Sequence, residues 1–262
     1  LTERAEIENK IVRTMPPITT LRVLTLNMHK GFTVFNRSFV LHELRDAVRQ
    51  VAADIVFLQE VHGSHTEHSL RHPKWPATSQ YEFLADSIWP EFAYGPNAVY
   101  PAGDHGNALL SKFPILRYRN INVSIGKIEQ RGLLHSVLQI PGHEEVHTVC
   151  LHLGLRESHR RQQLLSLCQL IDTLPHNAPV IIAGDFNDWR KRADRLLQAY
   201  GMDEVFKRTA GNHAKSFPAR FPLLSLDRIY LKNATPKNPL ILTQRPWSHL
   251  SDHAPLFAEI TL

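Results

Sequence analysis

Short apolar runs recur along the chain, and most of them are too short to be helices. Apolar runs of about four to eight residues bounded by polar or turn residues are typical of strands. The predicted strands are residues 21–26, 55–58, 108–111, 115–123, 133–140, 146–151, 180–183, 226–231, 240–243 and 255–260.

Three segments instead carry apolar residues at helical spacing. Leu41, Leu44, Val48 and Val51 predict a helix over residues 37–52. A second amphipathic helix is marked by apolar positions between residues 164 and 174, and a short helix is predicted at 81–89. Residues 61–80 contain His, Ser, Pro and Trp without periodicity and predict a surface loop.

The predicted strands outnumber the helices, and they occur both in consecutive runs and in alternation with helices. This order predicts an α/β (α+β) protein in which two mixed sheets pack face to face with helices outside. We find no internal repeat and no Gly/Ser linker in the 262 residues. The simplest organisation is an N-terminal lead-in, residues 1–20, followed by one domain, residues 21–262.

Composition narrows the class of protein. An apolar fraction of 43% supports a sizeable core, and no apolar run is long enough to span a membrane. The net charge of +5 permits a nucleic acid or an anionic lipid as partner without demanding one. The 16 histidines are expected mostly on the surface, and those between His62 and His72 show no regular ligand spacing.

The two cysteines and the start of the sequence bear on the cellular compartment. Cys150 and Cys168 lie at apolar positions and are expected to be buried, reduced thiols rather than a disulfide scaffold. The first residues lack the apolar segment of a signal peptide. The sequence begins at Leu1, which is compatible with removal of an upstream segment, and we expect a cytoplasmic protein.

Polar side chains stand just beyond several of the apolar strands, where rigid strand ends can position them. They are Asn27, Glu60, His152, Asp185, Asn187, Asp227, Asp252 and His253. Carboxylate and amide oxygens suit Mg²⁺ or Mn²⁺ better than zinc, and the set contains no thiolate. The two imidazoles suit proton transfer and contact with a phosphate oxygen. Together these residues predict metal-assisted attack of water on a phosphoester.

The same residues lie in motifs that give the chain a family resemblance. It resembles the endonuclease/exonuclease/phosphatase superfamily of DNase I-like phosphohydrolases, and the resemblance spans residues 21–260. In chain order, the matching segments are residues 24–27, 57–60, 106–111 with 114–115, 152–153, 184–187, 226–230 and 251–253. Small uncharacterised bacterial members look most similar, since they share segments like Glu129–His135 and Asp188–Arg190. The resemblance implies a four-layer α/β sandwich.

The resemblance also implies a metal site. Glu60 would bind the ion directly, and Asn27 and Asp252 would complete or support its shell. The expected ion is Mg²⁺, with Mn²⁺ as a substitute.

The remaining motif residues would carry the chemistry. Asn187 would hold the scissile phosphate, and Asp185 would orient or deprotonate the attacking water. Asp227 would fix the tautomer of His253. His152 and His253 would contact the phosphate and stabilise its developing charge. Members of the superfamily are described with the base at either the Asp185 or the His253 position, and the sequence leaves both open.

Three further residues are candidates for substrate binding, each with an ordinary structural alternative. Asn107 contacts substrate or closes a loop, and Arg131 contacts phosphate or is a structural arginine. Trp189 lines the substrate groove or packs in the core.

These observations predict a metal-dependent phosphodiesterase, a hydrolase acting on ester bonds, with no obligate protein partner. Nucleic acid is the first substrate expected, and His152 disfavours an abasic-site endonuclease. A phospholipid is the second, because the loop with Trp75 could approach a membrane, and a soluble phosphomonoester such as an inositol phosphate is the third. The alternative from another class is a catalytically inactive binding module on the same fold, against which stands the complete set of motifs.

Overall fold

The computed structural model describes residues 16–33, 37–126 and 129–262, and twelve strands of these residues form two sheets. The first sheet has the order β11-β12-β1-β2-β4-β3 and the second the order β5-β6-β7-β8-β10-β9. The strands are β1 (Thr20–Asn27), β2 (Ile55–His65), β3 (Glu91–Tyr100), β4 (Gly103–Ser111), β5 (Ile115–Asn122), β6 (Gly132–Leu138), β7 (Val146–His152), β8 (Val180–Asp185), β9 (Asp203–Glu204), β10 (Asp227–Lys232), β11 (Thr235–Ile241) and β12 (Leu256–Thr261).

Seven α-helices lie within the described part of the chain. They are α1 (Leu41–Val51), α2 (Thr66–Arg71), α3 (Gln80–Ala85), α4 (Glu157–Asp172), α5 (Arg192–Gln198), α6 (Val205–Ala210) and α7 (Trp247–Leu250). One 3₁₀ turn, His29–Gly31, directly follows the end of β1.

Alternation along the strands explains the layers. In β1, Leu21 and Val23 face the core between the sheets, whereas Leu24 and Leu26 belong to a separate outer cluster with residues of α1 and α3. Successive strand side chains point to opposite faces, so an entirely apolar strand must be covered on both sides. The predicted arrangement of two mixed sheets with helices outside is therefore confirmed.

The second sheet is covered in the same way. Its outer face packs against α4 and α5 in a cluster that includes Leu164, Leu167, Ile182 and Leu197. Cys150 and Cys168 are free and buried, as predicted, and no helix of the described residues is long and apolar enough to cross a membrane.

The prediction of a surface loop over residues 61–80 was wrong. β2 continues through a register shift between Leu58 and Val61 as far as His65, and α2 and the start of α3 occupy much of the remainder. Two strands, β3 and β9, were not predicted. The expectation of surface histidines fails at several positions, including His62, His135 and His147, which are buried.

Candidate active site

The ends of parallel strands meet where the two sheets face each other. β1 runs parallel to β2 with Asn27 opposite Gln59, and β7 runs parallel to β8 with His152 opposite Asp185. Carboxyl ends of parallel strands lie at the same sheet edge, so polar residues that follow the apolar strands gather there. Antiparallel neighbours contribute from their starts: Asp227 begins β10 beside Asp185.

Asp185 lies at the centre of this group and is buried. Its Oδ1 accepts the backbone N–H of Asn187 at 2.8 Å, and its Oδ2 accepts a hydrogen bond from Nδ2 of Asn27 at 3.2 Å. The same Oδ2 is 3.4 Å from Nε2 of His152 and 3.8 Å from Nε2 of His253. Burial, which disfavours the charged carboxylate, raises the pKa of Asp185 to about 6.

His253 and Asp227 form a buried pair. Nδ1 of His253 lies 2.8 Å from Oδ2 of Asp227, which leaves Nε2 directed toward Asp185. Burial alone would lower the pKa of His253, but the negative charges of Asp227 and Asp185 outweigh it and raise the pKa to about 10. The two carboxylates therefore favour the protonated imidazole, and the contact with Asp227 fixes its orientation.

Glu60 and Asn27 connect the first sheet to Asp185. Nδ2 of Asn27 donates to Oε1 of Glu60 at 3.4 Å as well as to Asp185. Glu60 has a positive φ of 57°, at the register shift of β2. A bulge re-aims a side chain, and a non-glycine residue in the left-handed region costs about 1–3 kcal/mol, a combination that recurs at functional sites.

Asp252 approaches from the loop that precedes β12. Oγ of Ser251 donates to the carbonyl oxygen of Asn27 at 2.7 Å, and Oδ1 of Asp252 lies 3.3 Å from Nδ1 of His29. Burial acts to raise the pKa of Asp252, but the hydrogen bond from His29 and the charge of His253 keep it below its usual range. Asp252 is thus maintained as a carboxylate beside β1.

His152 stands between the two sheets. Its Nδ1 is 4.0 Å from Oε1 of Glu60, while its Nε2 faces Asp185. Burial lowers the pKa of His152 well below the ordinary value, and the nearby positive charge of Arg131 acts in the same direction. Arg131 therefore lies within electrostatic reach of the site, although its Nη1 donates to the carbonyl oxygen of Gln130.

Asn187 is fixed by its backbone and by its side chain. It has a positive φ of 50°, its Nδ2 donates to the carbonyl oxygen of Leu153 at 2.9 Å, and it is 6% exposed. Asn and Asp tolerate the left-handed region better than most residues, which suits this position in the Gly184–Asn187 turn.

The other two candidates for substrate binding lie in different surroundings. Asn107 is buried, and its Nδ2 donates to the carbonyl oxygens of Gly132 at 3.1 Å and Cys150 at 3.4 Å, which bridges β4 to the second sheet. Trp189 is 45% exposed, with the guanidinium of Arg160 at 5.1 Å from its ring centroid. Core packing of Trp189 is therefore excluded.

The donor set suits a divalent cation. Within the described ranges, no Lys or Arg forms an ion pair with Glu60, Asp185 or Asp252. The basic side chains near these carboxylates are histidines. Ligand atoms of Asp185, Asp227 and His253 lie within 4.8 Å of one another. Glu60 and Asp252 each retain about 20% side-chain exposure, which leaves them accessible to an ion from solvent.

Two residues of the site were not predicted from the sequence. His29 pairs with Asp252. The hydrogen bond with Asp252 raises the pKa of His29 by more than burial lowers it. Ser216 accepts the backbone N–H of Asp227 at 3.1 Å. His29 follows Asn27 by two positions and could have been considered with it; Ser216 lies in a loop with no recognisable pattern.

The chain is similar to known proteins over most of its length. A model of the endonuclease/exonuclease/phosphatase family matches residues 24–253. The uncharacterized protein YbhP of Escherichia coli strain K12 is 56% identical over 245 residues, which cover 93% of this chain and 97% of that protein.

Solved structures share the fold at low sequence identity. An endonuclease/exonuclease/phosphatase structure from Beutenbergia cavernae is 17% identical with a TM-score of 0.74 and covers 94% of this chain and 72% of that chain. A family structure from Bacteroides vulgatus is 19% identical with a TM-score of 0.73, covering 94% and 100%. D. rerio TDP2, complexed with a single-strand DNA product, is 19% identical with a TM-score of 0.68, covering 94% and 100%.

Proposed function

Because the chain belongs to the endonuclease/exonuclease/phosphatase family, whose members are hydrolytic phosphoesterases, we propose that it is a divalent-metal-dependent phosphodiesterase. The observation that carries this proposal is the convergence on Asp185, whose Oδ2 lies 3.2 Å from Asn27, 3.4 Å from His152 and 3.8 Å from His253. A carboxylate surrounded by an amide and two imidazoles offers proton transfer and charge stabilisation at one point.

In this proposal, Glu60, Asn27 and Asp252 hold Mg²⁺, for which Mn²⁺ can substitute. Their oxygen atoms are the hard ligands that Mg²⁺ prefers, and Mg²⁺ is commonly bound by one or two carboxylates together with substrate phosphate. When bound, the ion supplies Lewis-acid stabilisation of the charge on the phosphate.

The remaining residues act on the water and the phosphate. Asp185 orients or deprotonates the attacking water from its buried position. His253, held by Asp227, faces the phosphate together with His152, and the Asn187 amide holds a phosphate oxygen. Asp227 contributes by orientation: with Nδ1 engaged at 2.8 Å, only Nε2 of His253 can reach the substrate.

Nucleic acid is the substrate class that we favour. The chain carries a net charge of +5, which attracts polyanions. Trp189, half-exposed beside Arg160 and four residues beyond Asp185, offers a ring on which a base can stack. The D. rerio TDP2 complex with a single-strand DNA product makes single-stranded DNA the first substrate to test.

The test is hydrolysis of bis-p-nitrophenyl phosphate with Mg²⁺, with Mn²⁺ and with EDTA. We expect turnover that requires the metal and is lost in Asp185→Asn but kept in Asp203→Asn, an exposed carboxylate of β9. A folded protein without metal-dependent turnover would refute the proposal and favour a binding module. A panel of single- and double-stranded DNA, RNA, phospholipid vesicles and inositol phosphates then separates nuclease from lipid phosphodiesterase and phosphomonoesterase.

A further inference from the structure

Three histidines come together where β2 ends and α2 begins. His62 lies inside β2, His65 is its last residue, and His68 is in the first turn of α2. One potential ligand atom from each lies within 4.8 Å of the other two. The ring centroids are 4.9 Å apart for His62 and His65 and 3.8 Å apart for His65 and His68. A single cation can bridge atoms at this spacing.

His62 provides a buried nitrogen without a partner. The residue is 1% exposed, and its Nδ1 lies 3.0 Å from the carbonyl oxygen of Asp104. A carbonyl oxygen only accepts, so Nδ1 carries the proton and Nε2 presents a lone pair. Within the described ranges this Nε2 has no hydrogen-bond partner. An unpaired buried acceptor destabilises the folded state, and a bound cation would supply the missing partner.

His68 adds a second buried nitrogen, because its Nδ1 is likewise without a partner in the described part of the chain. His65 differs, since its Nδ1 accepts the backbone N–H of His68 at 3.1 Å and caps α2. A metal bound at Nδ1 would use that lone pair, and one bound at Nε2 would move the ring proton to Nδ1. In either case, metal binding by His65 removes its hydrogen bond with the backbone N–H of His68.

We infer that His62, His65 and His68 form a second cation site, which takes a divalent transition metal of the Zn²⁺ class. The three protein ligands are imidazoles, which suit Zn²⁺, Cu²⁺, Ni²⁺ and Co²⁺ rather than Mg²⁺. Three histidines leave the fourth position of a tetrahedral Zn²⁺ site for water. The site differs in ligand chemistry from the oxygen-rich group around Glu60.

Aromatic side chains pack against one side of the cluster. The ring of Trp75 stacks on His68 with centroids 5.3 Å apart, and Phe32 contacts His68 at 5.2 Å. An apolar shell restricts solvent access to a metal and fixes its ligands. A helix as short as the six residues of α2 has little stability of its own, so a metal bound by all three histidines would fasten α2 to β2. One of these ligands, His62, lies only two residues beyond Glu60 in the sequence.

The test is a titration of the full chain with Co²⁺, after treatment with EDTA and in excess Mg²⁺, followed by visible ligand-field absorption. The Asp252→Asn background removes a carboxylate from the proposed Mg²⁺ group and so weakens binding of Co²⁺ there. Two variants then probe the cluster. His68→Ala removes one ligand, and His65→Asn removes an imidazole but keeps an acceptor suited to capping α2. His176→Ala, an exposed histidine far along the chain, is the matched control.

We expect one equivalent of Co²⁺ to bind and Zn²⁺ to displace it. Because even outer-shell changes weaken metal binding roughly 10–100-fold, loss of a ligand in His68→Ala or His65→Asn should weaken it about 100-fold or more, with His176→Ala unchanged. Absence of stoichiometric Co²⁺ binding, or equal affinity in the cluster variants and the control, would overturn the inference. The result does not depend on hydrolytic activity.

Discussion

Asp227 holds His253 across the junction of the two sheets, with its Oδ2 2.8 Å from Nδ1 of the imidazole. Asp227 belongs to β10 of the second sheet, whereas His253 precedes β12 of the first. This contact favours the protonated form of the imidazole and fixes the direction of the ring.

Replacement of Asp227 by Asn should test this relationship. Asparagine keeps the shape but removes the negative charge that holds the cationic imidazole. We expect turnover of bis-p-nitrophenyl phosphate to fall about 10²–10⁴-fold with little change in KM. Circular dichroism should show an intact fold, and Asp203→Asn serves as the control. A rate close to that of the parent protein would show that His253 does not need this partner.

Glu60→Gln should affect the metal requirement first. The amide is nearly isosteric with the carboxylate but lacks its charge, so the concentration of Mg²⁺ needed for half-maximal activity should rise about 10–100-fold. Glu67→Gln, an exposed glutamate of α2, is the control. The readout is a Mg²⁺ titration of the initial rate. An unchanged midpoint would remove Glu60 from the metal site.

Trp189→Ala should discriminate between substrates. Stacking of one base on an aromatic ring contributes about 1–3 kcal/mol, so KM for a single-stranded oligonucleotide should rise roughly 5–150-fold. Hydrolysis of bis-p-nitrophenyl phosphate, which contains no nucleobase, should change much less, and Trp189→Phe should keep most of the affinity. Tyr118→Ala, an exposed aromatic on β5, is the control. Equal effects on both substrates would argue against base stacking.

The partly buried His213 makes a pH-dependent contribution to stability. Its Nε2 is 2.7 Å from Oδ2 of Asp194, and its Nδ1 is 3.3 Å from Oε2 of Glu204. Burial lowers the pKa of His213, but its contacts with the carboxylates of Asp194 and Glu204 outweigh burial and raise the pKa above its ordinary value. Because the folded state has the higher pKa, this contribution is complete below the unfolded pKa and is lost as pH rises through the folded one.

A His213→Gln variant should therefore be destabilised more in mild acid than in alkali. We expect the free energy of unfolding to fall by about 1–3 kcal/mol near pH 5.5 and by clearly less near pH 9. Urea unfolding at both pH values measures the difference, with His176→Ala as the control. An equal loss at both pH values would mean that the contribution is packing and not charge.

The central strands and their polar ends could be predicted because the signal is local. An entirely apolar strand such as β8 must be buried on both faces, and the change to Asp185 and Asn187 marks where it reaches the site. Eight dispersed residues were assigned to one site from the sequence because they stand at the ends of such strands and because their motifs, in order, resemble those of the family.

The features that were not predicted from the sequence depend on tertiary context. β3 is an edge strand with exposed positions and contains Pro96, so it lacks both apolar continuity and alternation. The histidines at 62, 65 and 68 are three residues apart, a helical spacing, yet they meet because β2 continues past its bulge and turns directly into α2. His29 acquires its partner through the 3₁₀ turn that follows β1.

Division of the site between the two sheets has a mechanical consequence. One sheet carries Asn27, Glu60 and Asp252, while the other carries His152, Asp185 and Asp227. A slide of one sheet over the other by about 1 Å would misalign reacting groups enough to cost roughly 10²-fold in rate. The large apolar interface between the sheets therefore keeps the two halves of the site in register. Substitutions deep within it, such as Ile181→Ala, should impair turnover even at temperatures where the protein stays folded.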